Sequence, residues 1–260
     1  MSRDAEGRVR DLLEAFRMKR ALELLSTFLP ADKPGRTQIL DACERLLRAE
    51  FDDRRERRIA RRLEQSHLPD RPTLETFDFD FQPKLDKALV LDLALLAWVD
   101  RQEDLVLVGD PGVGKSHIAK ALCVIACSQQ RRVLYTTCAD MMLDLHAALA
   151  DGSLRQRVKR YVSPALLLID DLGYDPLEQE HAREAQLLHK VLEGRHGRAS
   201  TIVTSNLNVD AWAEYLGHPQ LTMALLDKLL YRATAIHIDG PSYRLDRHKK
   251  HQAARKTKTA

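Results

Sequence analysis

LVLVGDPGVGKSHIAKALCVIACSQQ, residues 105–130, is the stretch on which the fold turns. Residues 105–109 are apolar without polar alternation, the pattern of a strand buried on both faces. From Lys115 onward the pattern is helical. Between them lies GDPGVGKS, residues 109–116, a complete match to G-x-x-x-x-G-K-[ST]. Each residue type has a physical reason. Gly109, Gly112 and Gly114 let backbone N–H groups turn inward around a phosphate, with Asp110, Pro111 and Val113 completing the loop. Lys115 reaches the outer phosphates and Ser116 offers a hydroxyl to Mg2+. His117 stands in the first turn of a helix whose positive N-terminus faces the anion.

Outward from the loop, four more apolar runs follow: RVLYTT (132–137), ALLLID (165–170), TIVTSN (201–206) and TAIHID (234–239). Helix-patterned segments separate them, so a doubly wound α/β domain with a five-stranded parallel sheet is expected. Upstream, residues 5–65 read as helical. Val9, Leu12, Leu13 and Phe16, then Ile39, Leu40, Cys43, Leu46 and Leu47, recur near a 3.6-residue period. Pro30, Pro34 and Gly35 divide the region into two or more helices, and LPDRPTL (68–74) marks a boundary. The expected organisation is a small all-helical module over 1–67, the α/β domain over 68–246 and a basic tail over 247–260. ALVLDLALLAWV (88–99) reads as a core helix, because Asp92 interrupts it and a membrane span needs ~20 apolar residues.

ALLLIDDLG (165–173) puts two acids at the tip of the third strand. Asp170 is placed to hold Mg2+ and Asp171 to orient or deprotonate an attacking water, the two tasks that in-line attack on a γ-phosphate requires. A two-carboxylate site favours water over a sugar or nucleoside acceptor, which demotes a small-molecule kinase. TIVTSNL ends in Thr204, Ser205 and Asn206. These residues either hold the water and sense the γ-phosphate, or simply end a strand through local turns.

The charge sum is +3 and conceals an asymmetry. RRERRIARR (54–62) carries +5 and residues 244–260 carry +6, so the rest of the chain carries −8. A mildly acidic body with two basic clusters points to a polyanion partner. Hydrophobic residues at 44% against 30% charged exclude a disordered chain. The N-terminus lacks a signal-peptide core. Cys43, Cys123, Cys127 and Cys138 are too dispersed for a disulfide framework, and Cys123 and Cys127 lack zinc-knuckle spacing. A cytosolic protein with core thiols is expected, with no membrane partner.

The strand and GDPGVGKS, with ALLLIDDLG, TIVTSNL and GPSYR (240–244), resemble an AAA+ ATPase, a P-loop NTPase. FDFDFQPKLDKALVLDLA (77–94), YTTCADMMLDLHAA (135–148) and LLDKLLYRATAIHIDGPSYRL (225–245) narrow the resemblance to the IstB ATP-binding proteins of insertion sequences, relatives of the DnaC helicase loaders. It covers residues 68–246 and, more loosely, the helical region. The resemblance implies ATP held by Lys115 and Ser116, Asp170 as metal ligand and Asp171 as catalytic acid. It makes Asn206 the first sensor and Arg244 the second. Thr137 falls in a family TT pair, and the segment around Phe77 and Phe79 either borders the adenine or staples two modules together.

This sequence departs from the family where an Arg usually reaches across the subunit interface. Lys228 stands there, with Arg232 one helical turn later, and Lys lacks the planar fork of Arg. The expectation is that one of the two completes a neighbour's site in an ATP-driven homo-oligomer, since the residues after the fifth strand leave no room for the usual helical lid. Asp171 is one methylene shorter than the Glu common among AAA+ proteins, so hydrolysis is expected to be slow. In this setting Arg54, Arg55, Arg57, Arg58, Arg61, Arg62 and the basic tail become candidates for phosphate contacts. Without interleaved aromatics or a base-reading motif, they suit sequence-independent duplex DNA.

The implied function is an ATP-dependent DNA-binding ATPase that assists transposition by presenting target DNA to the transposase of the same element. The alternatives are a loader whose N-terminal module grips a replicative helicase, and a DNA-binding scaffold without turnover.

Overall fold

The computed structural model describes residues 4–31, 33–173, 181–216 and 219–258. The chain divides into two compact units, Met1–Arg61 and Arg62–Ala260.

Helices α1 (Ala5–Ala15), α2 (Lys19–Phe28) and most of α3 (Arg36–Gln65) build the first unit. Helix α1 starts where Asp4 accepts a hydrogen bond from the Gly7 amide at 2.8 Å, satisfying a donor that the first turn leaves free. Val9, Leu13, Leu29 and Leu40 form its small core. The Arg36–Glu6 pair and the Arg8–Glu44 pair (2.8 Å) tie the helices together around it. The arginine run lies along the exposed second half of α3. Arg54 pairs with Glu50 at 2.5 Å and sits over the Phe16 ring, and Arg57 pairs with Asp53. Arg55, Arg58 and Arg61 make no ion pair among the described residues.

In the second unit, α4 (Lys87–Leu93) and α5 (Ala97–Asp100) precede β1 (Asp104–Gly109) and α6 (Lys115–Ser128). Next come β2 (Val133–Thr137), α7 (Cys138–Ala150), α8 (Leu154–Val162) and β3 (Leu166–Leu172). After them run α9 (His181–Arg195), β4 (Ser200–Ser205), α10 (Trp212–Tyr215), α11 (Pro219–Leu230), β5 (Ala233–Ile238) and α12 (Tyr243–Lys258). The five strands form one parallel sheet in the order β2-β3-β4-β1-β5.

Alternate residues on the strands face opposite layers. Leu105, Leu107, Leu166 and Leu168 join one core with Ile118 and Leu122 of α6. Val106, Val108, Leu167 and Ile169 join another with Met141 of α7 and Leu188 of α9. This two-sided burial explains why the strands read as unbroken apolar runs. It also carries the tip of β1, where the phosphate-binding loop begins, to the carboxyl edge of the sheet.

Three features differ from the sequence reading. The unit boundary falls after Arg61 instead of His67, because the end of α3 is fastened to the sheet. Leu63 and Leu68 pack on the α/β core, and the Ser66 carbonyl accepts the Tyr135 amide at 2.8 Å. Residues 88–99 are not one helix. The left-handed backbone of Leu96 (φ 60°) separates α4 from α5, and Trp98 closes the turn by donating its indole N–H to the Leu93 carbonyl at 2.9 Å. The basic tail is the body of a helix, α12, which begins at Tyr243.

Arg195 is the largest charged group in the interior, 1% exposed. Its guanidinium donates to the carbonyls of Tyr161 (2.8 Å), Val162 (3.2 Å) and Pro164 (3.0 Å), and so closes the end of α8. It also donates to the Ser200 carbonyl and to Thr201 Oγ1 at 3.0 Å. Asp104, at the start of β1, accepts the Thr201 amide at 2.6 Å. Burial pushes the Asp104 carboxyl up to about 6 and the Arg195 guanidinium down to about 10.

Candidate functional site

A cleft of about 720 Å³ opens at the carboxyl edge of the sheet, and the phosphate-binding loop forms its floor. Gly112 (φ 86°) and Gly114 (φ 108°) adopt left-handed backbone. They are also pressed from outside. A Cβ on Gly112 would lie 2.2 Å from Ser242 Oγ, and one on Gly114 would lie 2.5 Å from the Phe77 ring. Ser242 and Tyr243 belong to the GPSYR block, and the Tyr243 amide donates to the Gly112 carbonyl at 3.0 Å. The terminal block thus packs directly on the loop.

Lys115 is 6% exposed, and its ammonium donates to the carbonyls of Gly109 (2.7 Å) and Asp110 (2.9 Å). Burial pulls its pKa below the usual lysine range, while Asp171, Asp170 and Asp110 oppose that shift. His117, beside the loop, has its Nε2 2.9 Å from the Thr73 carbonyl and its ring 5.5 Å from that of Phe77. Phe77 lines the cleft. Phe79 packs behind it at 4.8 Å, against the core. Phe77 borders the pocket, and both aromatics pack on the core of this same unit.

The β3–β4 ladder breaks its register between Ile169 and Leu172. Asp171 sits at this bulge with φ 60°, a conformation uncommon for a residue with a Cβ, and so turns toward the cleft. Thr204 on β4, fully buried, fills the break. Its hydroxyl accepts the Asp171 amide at 2.9 Å and donates to Asp170 Oδ1 at 2.5 Å. Tyr135 Oη stands 3.4 Å from the other Asp170 oxygen. Asp170 is 2% exposed. Asp171 is open to the cleft, yet the protein crowded round its carboxyl, and after that the negative Asp170, push its pKa up; Lys115 and Arg244 pull it back. The sequence offered Thr204 only as one of three polar residues ending a strand. A hydroxyl directly across from two acids was the available signal.

Asn206 lines the cleft, and its buried Oδ1 has no hydrogen-bond partner among the described residues. Arg244, in the first turn of α12, lines the opposite side, with Arg247 one turn further on. Thr137 does not reach the cleft. It caps α7, accepting the Asp140 amide at 3.0 Å. Lys228 and Arg232 do not line it either. Lys228 pairs with Glu193 at 2.7 Å, and the Arg232 carbonyl accepts the amide of Asp104, so Arg232 lies at the amino edge of the sheet.

The donor set suits a nucleoside triphosphate with a hard cation. Ser116 and Asp170 offer oxygens, which Mg2+ prefers, while Lys115 and Arg244 offer positive charge. The orphaned Asn206 oxygen asks for a donor, such as a water at the γ-phosphate. Among the described residues no group of three or more His, Cys, Asp or Glu could hold a metal, and no helix is long and apolar enough to cross a membrane.

Fold and cleft together define a P-loop NTPase of the AAA+ class. AMPPCP-bound DnaA from Aquifex aeolicus shares this fold, with a TM-score of 0.54 at 18% identity over 72% of this chain and 56% of that one. The chain belongs to the family of IstB-like ATP binding proteins, whose family model matches residues 12–253. It is 39% identical over 204 residues to the ATP-binding protein of insertion sequence IS21 from Pseudomonas aeruginosa, covering 78% of this chain and 76% of that one. It is 31% identical over 236 residues to the ATP-binding protein of insertion sequence IS232 from Bacillus thuringiensis subsp. berliner, covering 91% and 93%.

Proposed function

We propose that this protein is a slow ATPase that binds duplex DNA under nucleotide control and hands it to the transposase of an insertion sequence. One observation carries the ATPase reading: a single cleft gathers the phosphate-binding loop, Asp171, Asn206 and Arg244, with Asp170 buried next to Asp171. Lys115 and the loop amides hold the outer phosphates. Ser116 and Asp170 would hold Mg2+, which supplies positive charge to the β- and γ-phosphate oxygens. Asp171, with its raised pKa, accepts the proton of the attacking water, and the free Asn206 oxygen orients that water from the other side. Arg244 and Lys115 meet the charge that develops on the transferred group.

Relatives named for insertion sequences make DNA and a transposase the reasonable partners. The arginine run fits the DNA role, with Arg55, Arg58 and Arg61 free of ion pairs among the described residues and Arg54, Arg57 and Arg62 beside them. Retention of a mixed-sequence duplex should be strong with a non-hydrolysable ATP analogue and weak with ADP, with affinity falling steeply as salt rises. Equal retention with both nucleotides would sink nucleotide control, and preference for a replicative helicase over a transposase in co-sedimentation would favour the loader reading.

Of the two residues expected to act across a subunit junction, Arg232 is the better candidate, because its guanidinium is exposed while the Lys228 ammonium is taken by Glu193. Arg232→Ala should lower DNA-stimulated turnover about tenfold or more without weakening nucleotide binding. Unchanged stimulated turnover would exclude it.

A further inference from the structure

A second cleft, of about 310 Å³, lies beside the start of β2, at the end of the sheet away from the nucleotide. Arg62 from the end of α3, His67 just beyond it, Arg132 at the entry to β2 and Arg160 near the end of α8 all line it, and no carboxylate does. Arg160 is the last of four cations in LRQRVKRYV (154–162), a segment without an acid. This third basic segment stands inside the body of the chain that is acidic as a whole.

Arginines near helix ends commonly serve the last carbonyls of the helix. Here other groups do that work. Arg195 takes the carbonyls of Tyr161, Val162 and Pro164 at the end of α8. At the end of α3, Ser66 Oγ takes the Leu63 carbonyl at 2.7 Å and the Cys127 thiol reaches the Arg62 carbonyl at 3.8 Å. Among the described residues the Arg132 guanidinium reaches only Ser163 Oγ, at 3.4 Å. Arg160 lies 3.8 Å from Asp144, whose oxygens are already engaged by Arg157 at 2.5 Å and by the Tyr161 hydroxyl at 2.8 Å. Arg62 makes no ion pair among the described residues. Three guanidiniums held together with so little neutralising charge create a positive concavity that attracts phosphate oxygens.

We propose that this cleft is a second anchoring site for the phosphate backbone of duplex DNA, located on the ATPase unit itself. The proposal rests on the duplex-DNA reading above. Its test is the double variant R132A/R160A in the full-length chain, with a mixed-sequence duplex and a non-hydrolysable ATP analogue across a salt series. Affinity at low salt should fall about tenfold, and the slope of log affinity against log salt should drop by about 2, the expected loss for two phosphate contacts. The variant R132K/R160K should keep most of both, because a phosphate contact needs the charge. Nucleotide affinity and thermal midpoint should not move.

Affinity and slope equal to the wild type in R132A/R160A would remove the site and leave the functional reading standing. A loss that the lysine variant does not recover, or one confined to single-stranded DNA, would also overturn it. A wild-type chain that fails to bind duplex with the ATP analogue would instead strike down the functional reading on which the site depends.

Discussion

Lys115→Ala abolishes nucleotide binding, and Asp171→Asn keeps binding while losing turnover; this contrast is the largest effect expected at the cleft. Lys115 is nearly buried and held by two loop carbonyls, so its ammonium is positioned before any phosphate arrives. Hydrogen bonds to charged groups contribute about 1.5–3 kcal/mol each. Removing a cation that bridges two phosphates therefore costs on the order of 100-fold or more in affinity. The alanine leaves a polar-walled space without breaking a core contact, so the fold should survive.

Asp171 differs. It stands at a ladder bulge and faces the cleft. Asparagine keeps its size and its backbone conformation but accepts no proton. Titration with a fluorescent ATP analogue, alongside phosphate release, separates the two variants. Tight binding by Lys115→Ala would refute the assignment of the loop. Turnover by Asp171→Asn near the wild-type rate would take the general base away from Asp171.

The fold was legible because its signals were local and redundant. The apolar runs at 105–109, 132–137, 165–170, 201–206 and 234–239 each fall within about two residues of an observed strand, since strands buried on both faces leave no polar alternation to confuse them. The place of the loop after β1 and of Asp170 near the end of β3 was equally plain, because each follows directly on an apolar run. What the sequence hid was everything set by contact between distant segments. The Thr204 hydroxyl between the two acids, the packing of Ser242 on Gly112 and the clustering of Arg62, Arg132 and Arg160 each join residues far apart in the chain. The Leu96 turn escaped for another reason. A leucine with left-handed backbone has no composition signal; it is held by core burial and by hydrogen bonds of the turn, the Trp98 indole among them.

Arg195 belongs to the same hidden class, and its replacement is expected to cost more stability than any other single change considered. Five acceptors, from Tyr161, Val162, Pro164, Ser200 and Thr201, depend on one guanidinium. Arg195→Met keeps the length and the apolar stem and leaves those oxygens buried without a donor. Breaking a buried charged network typically costs about 3–5 kcal/mol. For a chain of this size that lowers the thermal midpoint by roughly 10 °C or more.

The loss should also depend on pH through Asp104. Burial raises its folded-state carboxyl from the ordinary 3.8 to about 6, so the folded chain holds this proton more tightly than the unfolded chain. Stability from Asp104 is accordingly complete below about pH 4 and falls as pH rises through 6. Arg195 attracts the ionised form and softens that fall. Without it the carboxylate has no buried cation nearby, and the deficit of Arg195→Met relative to wild type should widen between pH 5 and pH 8. Arg195→Lys keeps the charge and loses the fork, so its deficit should be smaller and flatter with pH. Urea unfolding at the two pH values reads both effects. A deficit below about 1 kcal/mol would show that water replaces the guanidinium at little cost. A deficit that shrinks as pH rises would sever the proposed electrostatic link between Arg195 and Asp104.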